Sequence, residues 1–237
     1  MGVPRVPEKG ETYERGQSFY AAPYVELEYG LTNRVTTSVY VEGQGTAGDS
    51  ALFTGWRVEG RYRPMLKQHW LNPVLYLEYE SLNDASRIAK DIVGSGPDLD
   101  IWNWALRNTK AHELEGKLIL SSDIREWNVA GNFVADKNLL RGEGFEFGYA
   151  FGVSRALGIH RSASGCVWCR QRFVAGLELY GGLYVAPTVS WSLKHRGTVR
   201  FSPAVGLGHE SSRLLFRLGY SFDLPKFRRE NAGDDGL

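Results

Sequence analysis

Several common architectures are excluded by what this chain lacks. Two cysteines in 237 residues, Cys166 and Cys169, cannot supply a disulfide framework. No stretch approaches the roughly twenty consecutive apolar residues that a membrane-crossing helix needs. The formal net charge is only +1, from 28 basic and 27 acidic residues, so the chain has no electrostatic footprint for nucleic acid. The opening Met1-Gly2-Val3-Pro4-Arg5 runs into charged residues without the apolar stretch or small-residue cleavage site of a secretory signal.

What is present is alternation. Glycine (28 residues) and proline (9 residues) fall mostly between apolar runs, which suits many strands joined by turns. From near residue 19 to residue 222, apolar and polar positions recur with period two. Leu214, Phe216, Leu218, Tyr220 and Phe222 oppose Leu215, Arg217, Gly219 and Ser221. Phe145, Phe147, Tyr149, Phe151 and Val153 oppose Glu146, Gly148, Ala150, Gly152 and Ser154. Leu52, Trp56, Val58 and Tyr62 oppose Arg57, Glu59, Arg61 and Arg63, and Leu75, Leu77 and Tyr79 oppose Tyr76, Glu78 and Glu80. About eleven such segments are legible, each near the nine to eleven residues that a tilted strand needs to cross a bilayer.

The expected fold is all-β, an antiparallel transmembrane β-barrel. Large aromatics near strand ends, such as Tyr62, Tyr79, Trp127, Phe145, Trp191 and Phe222, fit the girdles of such a barrel. A soluble sandwich also alternates, but its strands are shorter. The barrel should occupy residues 19–223, after an irregular segment 1–18 and before a flexible tail 224–237. Single-chain bacterial barrels have an even strand number. An eleven-strand count therefore predicts about twelve strands in the full-length form, with a signal sequence and a first strand preceding this start. Short connections at residues 32–34, 123–126 and 194–197 alternate with longer ones at 44–50, 81–111, 137–144 and 209–212. The first set is expected in the periplasm and the second outside.

On this reading Glu26, Glu28, Glu42, Glu59, Glu78, Glu80, Glu113, Glu115, Glu146 and Glu178 project into the lumen. So do Arg57, Arg61, Arg63, Lys117, Arg200 and Arg217. They form either an ion-pair network filling a narrow interior or a polar conduit whose charges select a solute. Cys166-Val167-Trp168-Cys169 lacks the histidine of a haem attachment and the further ligands of a zinc site, and reads as a small disulfide-closed turn. No other cofactor or metal signature is evident. His209-Glu210-Ser211-Ser212 alone combines residue types of a hydrolase, in a short loop that reads as a solvated turn. The 81–111 segment, with Trp102 and Trp104, could plug or cap the barrel.

Four segments carry a family likeness: Glu28-Tyr29-Gly30-Leu31-Thr32-Asn33-Arg34-Val35-Thr36, Leu75-Tyr76-Leu77-Glu78-Tyr79-Glu80, Leu114-Glu115-Gly116-Lys117-Leu118-Ile119-Leu120-Ser121 and Glu146-Phe147-Gly148-Tyr149-Ala150-Phe151-Gly152. In that order they resemble uncharacterised bacterial outer-membrane barrels, related to the transporters grouped under the phenol-degradation meta-pathway name. The resemblance implies a porin-like or transporter role in the outer membrane, with membrane lipids, the barrel-assembly machinery and a small solute as partners. It implies no catalytic residues. The chain departs from the family at its start, at residues 159–171 and after Phe222.

Overall fold

The computed structural model describes residues 2–3, 20–46, 51–86, 88, 106–157, 172–181, 184–193, 197–208 and 211–224. They form a single sheet whose strands are Gly2–Val3 (β1), Tyr20–Ala21 (β2), Tyr24–Gly30 (β3), Val35–Thr46 (β4), Ala51–Tyr62 (β5), Asn72–Asn83 (β6), Lys110–Ile124 (β7), Trp127–Asn138 (β8), Glu146–Leu157 (β9), Phe173–Tyr180 (β10), Tyr184–Leu193 (β11), Gly197–Gly206 (β12) and Leu214–Ser221 (β13). Every described pairing is antiparallel, and from β3 to β13 each strand pairs with the next in sequence. Since β2 and β3 both pair with β4, interrupted only at Ala22 and Pro23, the sheet has about twelve staves. Among the described residues only Leu106 is helical.

The long strands do not close on one another. β3 pairs with β4 alone, and β13 meets β2 only through β1, at Gly2↔Leu215, Val3↔Leu214 and Gly2↔Tyr20. Gly2 and Val3 thus supply a short strand within the segment expected to be irregular. With up-and-down connections, β3 and β13 run in the same direction, and β1 runs opposite to β13, as a stave between them would.

Period two sets the two faces. The outer face carries exposed apolar side chains, among them Val39, Val58, Leu77, Leu118, Phe147, Leu177, Phe201 and Leu218. The opposite face encloses polar groups: Ser38, Glu59, Glu78, Glu80 and Glu115 are each at most 2% exposed. Among the described residues the alternation slips once. A register shift lies between Glu42 and Gln44 on β4, and Gly55 on β5 sits at φ 150°, where a Cβ would lie 2.2 Å from the Ser81 carbonyl oxygen. Beyond this bulge Phe53 is exposed and Thr54 buried.

Turn chemistry fixes the tightest hairpin. Arg125 and Glu126 join β7 to β8 with Arg125 at φ 59°, the left-handed conformation that a two-residue hairpin turn demands. Asn128 Nδ2 donates to Asp123 across this turn at 2.6 Å, and Arg155 pairs with Glu126. β9 ends at Leu157 and β10 begins at Phe173, both at the sheet end of this short turn, and residues 158–172 join them. Their length departs from the expected division of short and long connections. Cys166 and Cys169, His209, Glu210 and most of 81–111 lie outside the described residues.

Candidate functional site

The enclosed face is divided in two. On β9–β13 it is built from small and tyrosyl side chains: Tyr180, Tyr184, Ala186, Ala204 and Leu215 form a buried cluster with Tyr20 of β2, and Ala150 lies against it. Tyr180 and Tyr184 stack at 5.1 Å between ring centroids, and Tyr20 Oη and Ser212 Oγ share a hydrogen bond of 3.0 Å. Close packing here depends on glycine. A Cβ on Gly176 would sit 2.6 Å from the Val153 carbonyl oxygen and 2.9 Å from Thr188 Oγ1. Arg217, from β13, lies over the Tyr180 ring at 4.1 Å. A cavity of about 280 Å³ opens beside this pair, lined by Ala130, Asn132, Ala150, Gly152 and Glu178.

The wall on β3–β8 is charged, and strand register dictates which charges meet. Glu28 lies opposite Ser38, Ser38 opposite Glu59, Glu59 opposite Glu78, Glu78 opposite Glu115, and Glu115 opposite Asp136. Asp136 lies opposite Glu146, which completes a row of acidic residues around this wall. Directly opposed like charges destabilise a sheet, so the row needs counter-charges, and these come from the two flanking rows. On one side Glu26, Tyr40, Arg57, Glu80 and Glu113 follow one another in register; on the other, Thr36, Arg61, Tyr76 and Lys117 do.

Each cation bridges strands. Arg57 pairs with Glu42, bonds Glu78 Oε1 at 2.9 Å, and covers the Tyr40 ring at 4.3 Å. Arg61 reaches Glu59 at 2.6 Å, Glu28 at 3.0 Å and Glu26 at 3.8 Å. Lys117 reaches Glu115 at 3.0 Å and lies 4.7 Å from the centroid of Tyr76. The tyrosines complete the net. Tyr40 Oη contacts Glu26 and Glu59 at 2.9 and 2.8 Å, and Tyr76 Oη donates to Glu78 at 2.7 Å. Such charge-assisted bonds make deep burial of carboxylates tolerable.

Of the lumen residues read from sequence, Glu26, Glu28, Glu42, Arg57, Glu59, Arg61, Glu78, Glu80, Glu113, Glu115 and Lys117 share this wall. Glu178 and Arg217 stand at the cavity of the other wall. Arg63, Glu146 and Arg200 are exposed, with Arg63 donating to the Asn33 carbonyl at 3.1 Å. Ser38, Tyr40, Tyr76 and Asp136 were missing from that set although their parity put them on the same face. Their side chains do not announce themselves as charge partners until register places them there. On the outer face, Tyr79 Oη and His112 Nδ1 share a 2.6 Å hydrogen bond beside Trp56.

Two carboxylate sets, Glu26/Glu28/Glu59 and Glu78/Glu80/Glu115, each have oxygens within 4.8 Å of one another, a spacing suited to cation binding. Neither a protein-family model nor a curated protein matches the chain.

Proposed function

We propose that the protein is a bacterial outer-membrane β-barrel of twelve staves that gives small solutes passive passage. One observation carries the reading: the sheet is inside-out. Its outer face leaves Leu77 57%, Phe147 71% and Leu218 78% exposed, while Glu78 on the opposite face is wholly buried. In water this arrangement forfeits roughly 1.5–3 kcal/mol for each large apolar side chain left unburied. In a bilayer the same face is solvated by lipid, and enclosed polar groups are the expected lumen. The strands have the required length, since β4, β5, β6, β8 and β9 each run to 12 residues.

On this reading outer-membrane lipids and the barrel-assembly machinery are its partners. The role is non-enzymatic and porin-like, and the resemblance to the phenol-pathway transporters agrees with it. Refolding the chain into lipid vesicles and recording single-channel currents tests the proposal. Discrete conductance steps are expected, and a membrane-inserted protein that passes no current would overturn it. A second reading, a structural barrel with a closed interior, draws on the ion pairs of Arg57 and Arg61 and on the packed tyrosines. It predicts that null result together with resistance to urea.

A further inference from the structure

We infer that the outer face carries a docking site for the phosphate of an anionic lipid headgroup, built by Lys110, His112 and Lys137. The inference rests on the membrane-barrel reading and adds a lipid partner of stated chemistry, at a place outside the lumen.

Strand parity and register bring the three basic groups together. On β7, Ala111 and Glu115 are buried on the enclosed face, so Lys110, His112 and Leu114 lie on the outer one. Lys137 of β8 lies opposite Leu114, and Leu139 N donates to the His112 carbonyl, which makes His112 and Lys137 diagonal neighbours. Diagonal positions lie about 7–8 Å apart, within reach of a lysine stem. Every acidic residue on β5–β9, from Glu59 to Glu146, has the opposite parity, so among the described residues the outer face of these strands presents cations without anions. Asp84, in the connection after β6, is taken by Arg141. Arg155, also on the outer face, stands at the far end of the sheet and pairs with Glu126.

A second observation is the aromatic frame around these groups. Lys137 Nζ lies 5.0 Å from the ring centroid of Phe145, which is 58% exposed. His112 shares its 2.6 Å hydrogen bond with Tyr79 through Nδ1 and stacks on that ring, and Tyr79 in turn meets Trp56 at 5.7 Å. With the Tyr79 hydroxyl donating to Nδ1, Nε2 carries the proton and can donate to an anion. Outward aromatic rings near strand ends mark the level at which acyl chains give way to headgroups. A phosphate at that level meets two ammonium groups and an imidazole N–H, all donors of strong charge-assisted bonds. Net negative headgroups are thereby favoured over zwitterionic ones, by about fivefold for each lysine engaged.

The test is quenching by brominated lipid in vesicles of phosphatidylcholine with a minor fraction of phosphatidic acid. In the full chain with Trp56 as its sole tryptophan, bromo-phosphatidic acid should quench several-fold beyond its share of the lipid, with bromo-phosphatidylcholine as the reference. Lys110→Gln/Lys137→Gln should bring the quenching down to that share. Trp127, kept alone at the far end of β8, should follow the share throughout. Wild-type protein extracted from the same vesicles should retain phosphatidic acid over phosphatidylcholine in native mass spectrometry. Inserted wild-type protein that retains no such excess overturns the inference and leaves the barrel reading standing, as does an inserted Trp56 protein quenched only in proportion. An excess that survives the double substitution, or appears equally at Trp127, overturns the assignment to this patch. Displacement of the lipid by millimolar inorganic phosphate overturns the lipid as the source of the phosphate. Wild-type tryptophans that bromo-phosphatidylcholine leaves unquenched overturn the barrel reading itself, and the inference with it.

Discussion

Replacing Arg57 with methionine is the sharpest test of how the interior is held together. The side chain is 16% exposed, and its partners Glu42 and Glu78 are 1% and 0% exposed. Methionine keeps the stem and removes the charge, so two buried carboxylates lose their shared counter-ion while Glu80 stays opposite in register. Removing one partner of a buried pair costs about 3–5 kcal/mol, because an uncompensated charge remains. With a urea slope of about 1–3 kcal/mol per molar, the unfolding midpoint should fall by roughly 1 M or more. Arg155→Met provides the contrast. Its partner Glu126 is 44% exposed and Arg155 itself 37%, so that pair should contribute at most about 1 kcal/mol. Adding Glu78→Gln to Arg57→Met should recover part of the loss, with a coupling of about 0.5–3 kcal/mol. Equal midpoint shifts for the Arg57 and Arg155 variants would refute the view that Arg57 neutralises a desolvated acidic cluster.

Four further outcomes follow from the two faces and their packing. Leu77→Arg, at the middle of the outer face of β6, should destabilise the vesicle-inserted protein by about 2–4 kcal/mol in urea titrations, and a neutral effect would argue against lipid on that face. Gly176→Val should cost about 1–3 kcal/mol by overpacking against Val153 and Thr188. Gly60→Val, at a site with nothing within 4 Å, should not lower the unfolding midpoint. Brominated lipids should quench Trp56, Trp127 and Trp191, all exposed on strands of the sheet, when each is the sole tryptophan kept. Unquenched emission from all three in vesicles would contradict the lipid-facing assignment.

Much of this arrangement is legible in the sequence because a strand's side chains alternate strictly between faces. Leu75, Leu77 and Tyr79 could be assigned to one side, and Tyr76, Glu78 and Glu80 to the other, without knowing any neighbour. The same rule fails where a backbone irregularity intervenes. Nothing local in Phe53-Thr54-Gly55 says that the parity will slip, since the slip reflects the register shift in β4 and the close approach of Ser81 to Gly55. Gly2–Val3 is too short to show a period at all, and it becomes a strand only because β13 lies beside it.

Register is the deeper limit, and the site depends on it. Alternation places Glu59, Glu78, Glu115 and Asp136 on one face, but a two-residue slip of any strand would keep that face and change every partner. With β6 displaced by two residues against β5, Glu59 would lie opposite Tyr76, which breaks the acidic row, or opposite Glu80, which moves the row onto Glu80 and Glu113. The hydrophobic pattern resists slips by one residue and is indifferent to slips by two. What discriminates between the even registers is the charge pattern itself, through Arg57 against Glu42 and Glu78 and through Arg61 against Glu26 and Glu28. Arg57 and Arg61 therefore do more than neutralise their acids: they select the register that brings those acids side by side.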